Sequence, residues 1–136
     1  MKRLCIFALV VLLATLCLGC KPAEFETNAY RTLVGAGAAY DVTMHSMADA
    51  RSEGLITAEQ YAKGKVVARN FYALYHAARI ALEEYVASGR EATDSEAQRE
   101  RILATLSSMA LRLAELTDYL RQIGVPEQGA REVQNG

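Results

Sequence analysis

Ile56-Thr57-Ala58-Glu59-Gln60-Tyr61, preceded by Glu53-Gly54-Leu55, is the stretch that decides the fold. Thr57 carries a hydroxyl that can accept from an unpaired amide at a helix start. Gln60, three residues on, can return the bond to the Thr57 amide, and Ile56 is placed to staple onto Tyr61. A helix therefore begins here. Gly54 can take the left-handed conformation that closes a preceding helix. Two helices joined by so short a turn are predicted to lie side by side and antiparallel.

The flanking sequence supplies both helices. Upstream, from about Asn28 to Ser52, Tyr30, Leu33, Gly37, Tyr40, Met44 and Met47 alternate at spacings of three and four, one face of a helix. Downstream, Tyr61, Gly64, Ala68, Phe71, Tyr75, Ala78, Leu82 and Tyr85 do the same as far as Ser88-Gly89. Thr93 or Asp94 can cap a third helix, with Glu96 at the capping-box position of Thr93. Its seam is Ile102, Leu106, Met109, Leu113, Leu116, Leu120 and Ile123, closed by Gly124 and then Pro126. The second and third helices are each about 30 residues, or roughly 45 Å long. The expected fold is all-α, an antiparallel up-down-up three-helix bundle over residues 28–124, followed by a flexible tail over 125–136.

Folding the first two helices about Gly54-Leu55 pairs positions whose numbers sum to about 108. Gly37 is then expected to face Phe71, Tyr40 to face Ala68, Met44 to face Gly64, Met47 to face Tyr61, Leu33 to face Tyr75 and Tyr30 to face Ala78. Large meets small in most of these layers, as close packing demands. The same operation about Arg90 sets Ala78 by Leu106, Ala68 by Leu116 and Gly64 by Leu120.

Ahead of the bundle, Lys2 and Arg3 precede an almost unbroken apolar run, Leu4 to Leu16, which ends in Leu18-Gly19-Cys20. The run is shorter than the ~20 residues of a membrane-spanning helix. This segment resembles the signal peptide and lipobox of a bacterial lipoprotein, with Cys17 at the position where that family usually has leucine. The resemblance covers Met1 to Lys21. It implies removal of a signal over residues 1–19, diacylglycerol and a further acyl chain such as palmitate on Cys20, and a lipidated cysteine with a short tether over 20–27. It also implies a protein exported into the cell envelope and anchored to membrane through Cys20. Lys21 in place of aspartate suggests the periplasmic side of the outer membrane in a Gram-negative host. Small helical lipoproteins of undetermined function have this overall plan.

Cleavage before Cys20 removes the first 19 of 136 residues and leaves a length suited to one domain. It takes two of the 15 basic residues and none of the 16 acidic ones, for a formal balance of −3, so no basic face for nucleic acid is expected. Of three cysteines only Cys20 stays. The domain must then be held by its apolar core, without disulfides.

Motifs that carry chemistry are thin. Gly35-Ala36-Gly37 lacks the third glycine and preceding strand of a dinucleotide fingerprint, with Tyr40 in the third glycine's place. Asp41, His45 and Asp49 lie four apart on one side of a helix, a spacing that could hold a divalent ion loosely but reads first as a solvated face with charge-assisted hydrogen bonds. Ser46 follows His45 directly, and adjacent helical residues point about 100° apart, so they cannot form a nucleophile and base pair. Glu83 and Glu84 are likewise adjacent and read as a solvated face. Neither enzymatic activity nor a metal or other cofactor is expected from these residues.

Two features remain. Tyrosine is frequent and tryptophan absent, with Tyr30, Tyr40, Tyr61, Tyr75 and Tyr85 on seam positions. Tyr40, Tyr61 and Tyr75 are the candidate lining of an interior site for a small apolar ligand. Opposite the seam of the second helix, Val66, Ala73, Ile80 and Ala87 recur seven apart between two polar rows. This row is the candidate contact stripe for a partner. The expected function is a non-enzymatic structural or protein-interaction module of the envelope, meeting another envelope protein or itself, with ligand binding among the tyrosines as the alternative.

Overall fold

A computed structural model of the chain describes residues 22–88 and 94–125. It is an all-α three-helix bundle of α1 (Pro22–Ser52), α2 (Ala58–Ser88) and α3 (Ser95–Gln122). The signal segment and Cys20 lie outside the described residues, as do Thr93, Pro126 and the rest of the expected tail.

The turn between α1 and α2 is built as its residues require. Gly54 has φ +74°, Leu55 N–H donates to the Ala50 carbonyl at 2.9 Å, and Gly54 N–H donates to the Arg51 carbonyl at 3.3 Å. This is the Schellman pattern, which satisfies carbonyls the helix end leaves open. Thr57 N–H donates to Gln60 Oε1 at 2.8 Å and Gln60 N–H to Thr57 Oγ1 at 3.1 Å, a closed capping box. Ile56 is buried, with Tyr61 packed against the same cluster.

The end of α3 repeats the Schellman geometry. Gly124 has φ +82°, Val125 N–H reaches the Leu120 carbonyl at 2.9 Å, and both side chains are buried together. Val125 thus belongs to the core, not to the tail expected from 125. At the start of α3, Asp94 occupies the cap position without a side-chain cap bond, and Glu96 pairs with Arg99 at 3.0 Å.

The start of α1 departs furthest from expectation. The segment expected to be a tether is helical from Pro22, which suits a first helical position because its missing amide is one the first turn leaves unpaired. Phe25 and Ala29, four apart, are buried. The Phe25 ring meets Tyr85 edge-on at 5.3 Å, and the Arg99 guanidinium lies over it at 5.3 Å. Residues 22–27 are therefore part of the bundle, because an aromatic ring there has a seat between the end of α2 and the start of α3.

Contacts pair opposite ends of successive helices. Phe25 meets Tyr85 at one end of α1 and α2, and Met47 fills the space beside Gly64 at the other. Ser88 Oγ approaches Gln98 Oε1 at 3.4 Å where α2 gives way to α3, and Tyr119 near the end of α3 reaches Gln60. This is the contact pattern of antiparallel neighbours. The most extensive contact is between α2 and α3.

The core follows the expected seams of α2 and α3. Gly64, Ala68, Phe71, Ala78, Leu82 and Tyr85 are buried, as are Ile102, Leu106, Met109, Leu116 and Leu120. The seam of α1 does not follow as closely: Leu33 and Met47 are buried, but so are Ala29 and Ala50, and Tyr30 points outward. The layers are also displaced by about one turn. Gly37 lies against Tyr75, not Phe71, with the Tyr75 hydroxyl 3.3 Å from where a Cβ would stand. Tyr40 stacks on Phe71 at 4.7 Å, and Met47, not Met44, fills the gap at Gly64.

Candidate functional site

The row singled out on α2 is on the surface. Val66 is 50% and Ile80 47% exposed, and Ala73 and Ala87 are exposed with them. Its position follows from helical geometry, since steps of seven drift only about 20° around the axis and keep the row opposite Phe71 and Ala78. These four residues form a narrow aliphatic ridge along the outside of α2.

The candidate ligand-lining tyrosines are divided between two core clusters. Tyr40 and Tyr75 flank Phe71, with ring centroids 4.7 and 6.0 Å from it, and belong to the larger core cluster. Tyr61 belongs to the other cluster, with Met47 and Ile56, and has Lys65 Nζ 5.8 Å from its ring. The rings fill the bundle because each is seated against aliphatic or aromatic neighbours. Burial and the adjacent Asp41 carboxylate, with a contribution from Tyr72, raise the Tyr40 phenol above its ordinary value of 10.0. This is the behaviour of a phenol held neutral within packing.

A surface groove of about 850 Å³ runs between the start of α1 and the end of α2, with Tyr30, Leu33, Tyr75, Leu82 and Val86 among its walls. It is open to solvent, and Tyr75 is the only one of the three candidate ligand-lining tyrosines that reaches it.

The polar candidates behave as local helix chemistry. His45 Nδ1 donates to the Asp41 carbonyl at 2.7 Å, and Ser46 Oγ to the Val42 carbonyl at 3.0 Å, so the two side chains serve their own helix. No group of three or more His, Cys, Asp or Glu suited to a metal occurs among the described residues. Nor is any helix among them long and apolar enough to cross a membrane.

One surface was not anticipated. Tyr30, Val34, Ala38 and Val42, four apart along α1, are all exposed. The spacing was legible, since no Lys, Arg, Asp or Glu stands between Arg31 and Asp41. Assigning Tyr30 to the core concealed it.

No protein-family model matches the chain, and neither a curated protein nor a solved structure matches it.

Proposed function

We propose that the chain is a membrane-anchored bacterial lipoprotein that acts as a non-enzymatic interaction module of the cell envelope. The observation that carries the interaction reading is the exposure of Val66 and Ile80, in register with Ala73 and Ala87, on a helix whose opposite face carries the buried residues Ala68, Phe71 and Ala78. Burying such a ridge against a partner removes apolar area from water at about 25 cal/mol per Å². Membrane attachment rests on the sequence Lys2-Arg3, the apolar run and Leu18-Gly19-Cys20. Three acyl chains on Cys20 exceed the single chain that binds only marginally.

Helix α1 begins at Pro22, two positions after Cys20. A lipid at Cys20 would hold the bundle close to the bilayer, with the Phe25 end nearest the anchor. Attachment is tested by mass spectrometry of the protein isolated from membranes: an acylated N-terminal Cys20 supports it, and an unmodified Cys20 or a retained signal overturns it. The contact is tested with a photo-crosslinking residue at position 80 in the native envelope. A discrete adduct that disappears with Val66→Asp, while helical content is kept, supports the α2 ridge as the interface. An adduct indifferent to Val66→Asp overturns it.

A further inference from the structure

The outward row on α1 has an internal symmetry that selects its own occupant. Tyr30 is 64%, Val34 55% and Val42 48% exposed, and Ala38 completes the row. Beside it Gly35 has no neighbouring side chain among the described residues within 4 Å of where a Cβ would stand. Arg31 and Asp41 bracket the row and are exposed. Neither has a Lys, Arg, Asp or Glu three or four positions away, and neither enters an ion pair among the described residues.

Turn a second copy of α1 end for end about the middle of the row, between Val34 and Ala38, and its residues pair with the first copy's by numbers that sum to 72. Tyr30 then meets Val42, Arg31 meets Asp41, and Val34 meets Ala38, each contact occurring twice. Opposite charges meet at both ends, about 7.5 Å on either side of the centre, and the larger aliphatic meets the smaller. In parallel order Arg31 would face Arg31 and Asp41 would face Asp41, so the charges select the antiparallel arrangement. A two-fold interface requires this kind of self-complementarity, and rows spaced four apart are the ridges along which helices pack. Turned about its own middle, the α2 ridge pairs positions that sum to 153 and sets Arg69 by Glu84, so it admits an antiparallel self-contact of the same kind, and the effect of Val66→Asp separates the two faces.

We infer that the Tyr30, Val34, Ala38 and Val42 face of α1 is a contact between two copies of this chain in antiparallel order, fixed by Arg31 and Asp41. The inference rests on the reading of the chain as an interaction module and is independent of the α2 ridge. One helix-on-helix contact is smaller than the roughly 1,200 Å² of a stable interface. The pairing is accordingly weak in dilute solution and favoured where copies are held at high effective concentration. The two Pro22 residues fall about 42 Å apart along the helix axes. Two copies anchored in one membrane would therefore pair with their long axes along its surface.

The test uses two differently tagged copies of the full chain expressed together, one carrying Val34→Cys and the other Ala38→Cys, with oxidation in isolated membranes. The chain without added cysteines serves as the blank for Cys5, Cys17 and Cys20. A mixed disulfide is expected. Arg31→Asp or Asp41→Arg in both copies should lower its yield about fivefold or more, and the two reversals combined should restore it, a rescue that loss of folding could not give. Val66→Asp should leave it unchanged. Absence of the mixed disulfide above the blank, or a yield indifferent to both single charge reversals, overturns the inference. So does a disulfide abolished by Val66→Asp, which would move self-contact to α2 and leave the interaction reading standing.

Discussion

The Tyr119 hydroxyl donates a 2.8 Å hydrogen bond to the Gln60 carbonyl, joining the last turns of α3 to the first turn of α2 across 59 residues of chain. The same ring lies 3.4 Å from where a Cβ would stand at Gly64. One side chain thus fastens the capping box of α2 to the end of α3.

Tyr119→Phe removes the bond and keeps the ring. A destabilisation of about 1 kcal/mol is expected, read as a lower urea midpoint with unchanged slope. Tyr119→Ala should cost more, because it also opens the space beside Gly64.

Gly64 is buried where any side chain would run into Met47, which is itself fully buried and would have to shift within the core. Gly64→Leu should destabilise the bundle by about 1–3 kcal/mol through overpacking. Gly37→Leu should cost less, since Gly37 is half-buried and its neighbour is the partly buried Tyr75 ring. Thermal melts of the two variants check the order, and an unchanged melting temperature for Gly64→Leu contradicts the packing described.

Phe25 lies in the segment whose composition suggested a tether. Phe25→Ala should cost about 3 kcal/mol, because the ring is buried between Tyr85 and Arg99. Amide exchange in the first two turns of α1 should rise at the same time. A variant as stable as the parent would mean that α1 does not need its first two turns.

The raised phenol of Tyr40 sets an alkaline limit on stability. The folded state favours the neutral ring, and the unfolded chain loses this proton first as pH rises. The stability contributed is therefore complete below the ordinary value of 10.0 and is lost as pH rises toward the folded value. Ultraviolet titration should show a late-ionising tyrosine that is absent in Tyr40→Phe, and that variant should lose part of the alkaline decline in stability.

Surface ion pairs are not expected to matter to the same degree. The pairs Lys63–Glu59, Arg79–Glu83, Arg112–Glu115 and Arg121–Asp118 are exposed and three or four residues apart. Such pairs are worth a few tenths of a kcal/mol.

The order of amino acids alone set where α1 ends, where α2 begins and where α3 ends, because those signals are local. Gly54 and Gly124 close helices through their own backbone conformation, and Thr57 with Gln60 opens one through bonds spanning four residues. It also determined the buried faces of α2 and α3, where apolar and polar positions contrast strongly around the helix. It placed Val66 and Ile80 outside for the same reason. In α1 that contrast is weak: between Arg31 and Asp41 every residue except Thr32 is apolar or glycine, so several faces were equally suited to the core. Only packing against α2 and α3 turned Phe25, Ala29 and Leu33 inward and Tyr30 outward. Tertiary structure likewise decided how the helices slide along one another. A helix shifted by three or four residues presents nearly the same face, so periodicity fixes the face and leaves the register open by a turn. The fit of Met47 beside Gly64, Tyr40 on Phe71 and Phe25 against Tyr85 settled it.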